Sequence, residues 1–419
     1  MKRTGELVAV AAWIVAGLGW QSPPVLGQDA GQTVIFEMDR AVHKPSRFGK
    51  KKTPAGTVEV VDGKFGKACK FTFVEKAQGG FFLAPVRPTK AWDTSAGISF
   101  WVKGDGSKSW GGLEMIDRDN YAFRYAVCFP IDSTEWRKIT IPWRDVLPEL
   151  SKADRIGPDG GYTPSRFGNL WFGKWWYWRD YPACSFTIDR VALEPKIVLD
   201  TKEYTPAQGG VPKLVAKLKA GKPVTITVVC DSLGDKHHWA NRKVVWCELL
   251  VEKLKKSSRA KVTLVNASMG GTELRQNTIL LPRVLDAAPQ PDLVTVWFGG
   301  NDWASGTRGK GFEQDLRVAV DRIRRMTKGK SEILLMTTCP SVARWDAMEE
   351  LAVAVRTVAA EKKTGLADVS AAFHKAGAEA AARAKLFCWD KTHLGPAGHA
   401  LAAETVLKAI GASQPTKGE

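Results

Sequence analysis

Residues 224–234 read Val-Thr-Ile-Thr-Val-Val-Cys-Asp-Ser-Leu-Gly. The apolar run from Val224 to Val229 suits a strand buried on both faces, and a serine follows where the chain must turn. Further apolar strands at 261–265, 293–298 and 332–338 alternate with stretches of helical periodicity near 242–256, 272–286, 311–327, 345–362 and 396–410. Strands separated by helices predict a parallel sheet covered on both faces, and such sheets gather ligands at the carboxyl ends of their strands. Ser232, the Gly270-Gly271 turn and Asn301 each follow one of these strands.

A second stretch, residues 389–399, reads Trp-Asp-Lys-Thr-His-Leu-Gly-Pro-Ala-Gly-His. Here an acid, Asp390, stands three residues ahead of an imidazole, His393. Serine alkoxide chemistry needs a base for the hydroxyl proton and an acid that holds this base in one tautomer. Each piece alone has a plainer reading. Asp-Ser-Leu after a strand is usually a turn, His393 neighbours a helix start at Pro396, and Gly299-Gly300-Asn301-Asp302 suits an ordinary strand-to-helix turn. His399 lies within the following helix and reads as packing or surface. His237 and His238, close after the serine, read either as substrate contacts or as exposed loop residues.

Four blocks occur in order: Asp231-Ser232-Leu233, Val265-Asn266-Ala267-Ser268-Met269-Gly270-Gly271, Gly299-Gly300-Asn301-Asp302 and Asp390-x-x-His393. Over about residues 222–411 the chain resembles the SGNH (GDSL-type) hydrolases, a family of esterases and acylhydrolases. The resemblance implies a flavodoxin-like three-layer α/β fold. It implies Ser232 as nucleophile, His393 as general base and Asp390 as its orienting acid. The N–H groups of Ser232 and Gly271 and the side-chain amide of Asn301 are the implied oxyanion hole. Cys230 departs from the pattern, which has glycine there. His238, Trp239, Trp303 and Trp389 flank the blocks and are candidate substrate-binding residues in an aromatic-walled mouth.

From about residue 31 to 195 the pattern changes. Short apolar or aromatic runs (98–102, 121–129, 138–143, 186–193) alternate with Gly, Asp, Ser and Pro turns, which predicts an antiparallel sandwich. The runs Ile98-Ser-Phe-Trp-Val-Lys-Gly-Asp-Gly106, Glu135-Trp-Arg-Lys-Ile-Thr-Ile-Pro-Trp143, Gly168-Asn-Leu-Trp-Phe172 and Phe186-Thr-Ile-Asp189 are similar to the galactose-binding-like jelly-roll β-sandwich, in particular to carbohydrate-binding and complex-I-intermediate-associated modules. Related modules often hold a structural calcium, to which Glu37, Asp39 or Asp189 would contribute. Trp171, Phe172, Trp175, Trp176, Tyr177, Trp178 and Tyr181 form a dense aromatic run. A strand would send half of these rings inward and leave half for a glycan platform, unless they fill the core and the contact between domains.

The expected organisation is an export signal at 1–27, a β-sandwich at 28–195, a linker at 196–222, a hydrolase domain at 223–412 and a polar tail at 413–419. Lys2 and Arg3 ahead of the apolar run from Leu7 to Trp20 carry the signal reading, which places the mature protein in the periplasm or outside the cell. Seven cysteines lack metal-ligand spacing, so structural zinc is not expected, and neither a cofactor nor a metal at the serine site is expected. The formal charge of +17 favours acidic polymers. No nucleic-acid signature accompanies it, and no integral membrane contact is expected after signal removal. Polysaccharide or another ester is the expected substrate, with acidic glycans as further candidate partners. The leading expectation is an exported serine esterase removing acetyl or similar groups from carbohydrate. A lipolytic or broad acylhydrolase and a non-catalytic glycan- or envelope-binding protein are the alternatives.

Overall fold

Alternate residues of the second-half strands separate cleanly onto two faces. Val224, Ile226, Val228 and Cys230 enter one core with Leu293, Trp297, Leu334 and Met336, while Val229, Val294, Val296, Ile333 and Leu335 enter another. The computed structural model describes the chain except residues 1–30, 41–46, 49–52, 55, 77–80, 151–153, 158–159, 179–181 and 412–419. The signal read at 1–27 and the tail at 413–419 lie outside the described residues, as does Tyr181. No described helix is long and apolar enough to cross a membrane.

Five parallel strands lie in the order Val262–Asn266, Val224–Cys230, Leu293–Trp297, Glu332–Met336, Gly365–Ala367. Helices Trp246–Ser257 and Pro396–Ala409 cover one face through Trp246, Leu250, Leu254, Ala402 and Val406. Helices Gly309–Thr327 and Glu349–Glu361 cover the other through Leu316, Val320, Ile323, Leu351 and Val355. The strand order reverses beside Val224–Cys230, whose neighbours are the next strand in sequence on one side and the third on the other. Such a switch point opens a crevice at the carboxyl ends, where connections depart in opposite directions. Ser232 follows one of the two strands bounding it and Asn301 the other. The stretch read as linker ends in a helix, Pro212–Lys219, whose Leu214 and Leu218 are buried in the hydrolase core.

The first half forms antiparallel sheets. One orders Arg137–Pro142, Gly97–Gly104, Cys184–Glu194, Lys67–Phe73 and Gly56–Asp62, with Thr33–Phe36 also paired to Cys184–Glu194. The second orders Leu147–Pro148, Arg124–Pro130, Trp110–Asp117, Phe167–Gly173 and Phe81–Pro85. Rings from both meet in one core: Phe100 stands edge-on to Phe129 at 4.9 Å, and Phe71 lies 5.5 Å from Phe172. Each fully buried ring of this kind contributes about 2–3 kcal/mol of transfer free energy. Asp189 accepts the backbone N–H groups of Lys64 and Phe65, and Glu37 pairs with Arg190 at 3.3 Å. No group of three or more metal-ligating side chains occurs among the described residues.

The aromatic run divides: Phe172 enters the first half's core, and the rings after Gly173 go to the contact between the halves. Strand Phe167–Gly173 ends at a glycine and a tight turn follows, so the period of two expected through this run breaks. Trp175, Tyr177 and Trp178 are buried in a cluster with Trp110, Cys128, Met269 and Leu280. Arg283 donates to the Trp178 carbonyl at 2.8 Å, Arg275 to that of Leu150 at 2.6 Å and Arg322 to that of Asp145 at 3.1 Å. The seam thus combines apolar burial with charge-assisted hydrogen bonds.

Candidate active site

The turn after Val224–Cys230 is fixed by its own acids. Asp231, 3% exposed, accepts the Leu233 N–H at 2.9 Å through its side chain, and its carbonyl accepts the Gly234 N–H. Burial pushes the Asp231 carboxyl up to about 6, against the Leu233 hydrogen bond that pulls it down. Asp235 accepts the N–H groups of His237 and Gly270, both at 2.9 Å. Asn241 holds the same turn through its amide, donating to the Ser232 carbonyl at 2.6 Å and the Asp235 carbonyl at 2.7 Å. Cys230 is wholly buried and leaves no room opposite: a Cβ at Gly234 would lie 2.9 Å from its Cβ and 2.5 Å from Ser268 Oγ. The position where the family pattern has glycine is therefore filled, and glycine stands four residues later instead.

Ser232 Oγ lies 3.0 Å from His393 Nε2, and His393 Nδ1 lies 2.5 Å from Asp390 Oδ2. Asp390 also accepts the N–H groups of His393 and Thr392 through Oδ1. Partial burial raises this carboxyl, but the hydrogen bonds from the His393 ring, His393 N and Thr392 N outweigh it and hold the group below its ordinary value. An ionised Asp390 fixes the proton on Nδ1 and leaves the Nε2 lone pair facing the serine hydroxyl. Three residues separated by up to 161 positions thus stand in one hydrogen-bonded line.

Around this line the backbone donors divide into used and unused. The N–H groups of Leu233, Gly234 and Gly270 are all engaged, whereas those of Ser232 and Gly271 donate to no acceptor among the described residues. Gly271 has φ +76°, which glycine adopts without strain. Asn301 donates from its side-chain amide to the Thr272 carbonyl at 2.9 Å, tying its own turn to the one that carries Gly271. Asp302 reinforces the tie by accepting Leu274 N at 3.0 Å and Gly299 N at 3.1 Å. Burial first, then the neighbouring Glu273 charge, push the Asp302 carboxyl well above its usual range.

The flanking aromatics differ. His238 stacks on His393 with ring centres 4.1 Å apart, Trp239 meets His393 edge-on at 5.7 Å, and Trp389 stacks on Trp239 at 5.2 Å. Trp389 is 82% exposed and Trp239 40%. Trp303 does not join them: it packs on the opposite helical layer with the guanidinium groups of Arg308 and Arg344 over its ring at 4.5 and 4.4 Å. His237 is exposed, its ring 3.3 Å from Asp235. His399 is wholly buried, and burial depresses its imidazole to about 4. The sequence reading missed Asp235, Asn241 and the role of Asp302; only the last sat inside a recognised block.

Residues 231–401 match the sequence model of the GDSL-like lipase/acylhydrolase family. The second half is accordingly a GDSL-type α/β hydrolase domain, and the class it defines is that of the serine ester hydrolases. No curated protein matches the chain. Among solved structures, the acetylxylan esterase Axe2 of Geobacillus stearothermophilus is similar at 22% identity, covering 46% of this chain and 96% of that one, with a TM-score of 0.39. The psychrotrophic esterase EstA of Pseudoalteromonas sp. is similar at 18% identity, over 45% and 96% of the two chains, with a TM-score of 0.37. A family 11 carbohydrate-binding module from Clostridium thermocellum is similar at 16% identity, over 41% and 100%, with a TM-score of 0.31.

Proposed function

We propose that the protein is an exported esterase that removes acyl groups, acetyl foremost, from polysaccharide. The observation that carries this reading is the line of Ser232, His393 and Asp390 with an exposed tryptophan pair at its edge. His393 takes the Ser232 proton as Oγ attacks the ester carbonyl. The resulting oxyanion is received by the unused N–H groups of Ser232 and Gly271 and by the Asn301 amide. His393 then passes the proton to the departing sugar oxygen as its bond to the acyl carbon breaks, which frees the sugar hydroxyl and leaves an acyl-serine. Water enters, His393 removes its proton, and collapse of the second tetrahedral intermediate releases the acid and restores the serine. Asp390 stays ionised throughout and holds the imidazolium that forms twice per cycle.

The Trp239 and Trp389 faces are the substrate-side feature. Flat, exposed indoles stack on pyranose rings, and their place beside His393 would set an acylated sugar against the nucleophile. The galactose-binding-like sandwich read in residues 28–195 fits the same substrate class as an accessory domain, and the net charge of +17 favours acidic glycans. The decisive experiment is acetate release from acetylated xylan and from a short-chain chromogenic ester by wild type and Ser232→Ala. Serine-dependent release from xylan supports the proposal. Cleavage of the chromogenic ester alone removes acetylated xylan as substrate, leaves the serine mechanism and reopens the choice of substrate.

A further inference from the structure

His393 is held by hydrogen bonds at its two ring nitrogens. Asp390 Oδ2 meets Nδ1 at 2.5 Å, and Nε2 meets the Ser232 hydroxyl at 3.0 Å. Two such contacts define a line, about which a flat ring can still roll as its side-chain torsions adjust. Rolling turns the Nε2 lone pair away from the serine hydroxyl, and a hydrogen bond weakens as its angle closes. Fixing the base fully takes a third contact, on a face of the imidazole.

His238 supplies that contact. Its ring lies against His393 with centres 4.1 Å apart and planes 29° from parallel, closer than the 5.7 Å at which Trp239 meets the same imidazole edge-on. The segment that carries it is anchored to the nucleophile. His238 N donates to the Asp235 carbonyl and Asn241 N to the His238 carbonyl, both at 3.0 Å. The Asn241 amide donates to the Ser232 and Asp235 carbonyls. The Ala240 N–H reaches His238 Nδ1 at 3.4 Å, which ties the side chain to the same turn. A ring mounted on residues 232–241 thus keeps its place relative to Ser232, although His393 comes from 161 positions away. This face also meets a charge: His393 becomes an imidazolium twice per cycle, and an aromatic face attracts a cation laid against it.

We propose that His238 is a positioning residue, whose ring stacked on His393 holds the general base in line with Ser232 and favours the imidazolium it becomes. The inference rests on the serine mechanism proposed above and adds a fourth side chain to it. One face of His238 is taken up by His393, and the residue acts through the base rather than on the ester. Loss of one aromatic pair corresponds to about a tenfold change in rate where its whole worth is felt in the transition state.

The test compares full-length wild type with His238→Ala, His238→Gln and His238→Phe, with Ser232→Ala as the blank. Two rates are followed: turnover of a short-chain chromogenic ester, and inactivation by a small alkyl fluorophosphonate, which loses fluoride as Ser232 Oγ bonds to phosphorus. The expected result is a kcat about tenfold lower in the Ala and Gln variants, with KM unchanged and a matching fall in inactivation rate. The Phe variant keeps a flat ring but neither ring nitrogen, and should return both rates to within about threefold of wild type. A KM that rises while kcat holds makes His238 a substrate contact and overturns the proposal. So does a Phe variant as slow as the Ala variant, or an inactivation rate unchanged in all three. Wild type left unmodified by the fluorophosphonate sinks the serine mechanism and this inference with it. Neither readout uses polysaccharide, so failure of xylan as substrate leaves the comparison decisive. Should the Phe variant fail to fold, His238→Tyr decides in its place.

Discussion

Two groups of tryptophans border the hydrolase domain and are put to opposite uses. Trp175 and Trp178 are buried against Met269, two residues before Gly271, and lock that turn to the first domain. Trp239 and Trp389 lie beside His393, stacked on one another and otherwise open to solvent. The same side chain serves as cement where a second layer of protein covers it and as a contact surface where none does. Which role it takes is decided by neighbours remote in sequence rather than by its own surroundings along the chain.

The largest expected effect separates reaction from stability. Ser232→Ala or His393→Ala should lower ester turnover by about 10⁴–10⁶-fold with Tm unchanged, checked by initial rates and calorimetry. The converse substitution, Trp178→Ala, should cost about 3–5 kcal/mol of stability in denaturant titrations, and its turnover below the new transition should fall far less. Equal loss of both would show that the seam also shapes the site. Asn301→Ala joins the two effects, since it removes the proposed oxyanion donor and the tie to Thr272. Its kcat should drop about 10²–10³-fold.

A pH test probes the buried face of helix Pro396–Ala409. His399 has its folded pKa depressed to about 4 from 6.5. Its stability contribution is therefore full above pH 6.5 and is lost as pH falls toward 4, by about 3 kcal/mol. His399→Leu should flatten that part of the stability curve, measured by urea midpoints between pH 7 and 4. The smallest effect belongs to the open pair: Trp389→Ala should leave Tm and short-ester kcat unchanged and raise KM for acetylated xylan about fivefold, roughly the worth of one exposed stacking contact.

The legible parts of the molecule are those whose meaning is local. The three-residue spacing of Asp390 and His393 makes their pairing readable, and apolar runs separated by helical periods give the parallel sheet. Asp235 and Asn241 were unreadable because each acts through backbone atoms: a carboxylate aimed at Gly270 N and an amide aimed at two carbonyls leave no pattern in residue type. The run 171–178 was ambiguous for a different reason. Period-two logic holds only while the strand lasts, and Gly173 ends it before the rings that matter. Trp303 is two residues from Asn301 in sequence, but a helical turn carries it away to lie under two arginines.

Met269 carries a consequence for how this chain can be rearranged. Its side chain is shared property of both halves, wedged among rings of the first while its backbone leads into the Gly270-Gly271 turn of the second. Exchanging the first domain for an unrelated one would leave that side chain facing water, and the turn would lose the wall that now limits its travel. Recombination at residues 196–222 would thus alter catalytic rate without touching any reacting atom, and a replacement module would have to supply its own ring for Met269 to rest on.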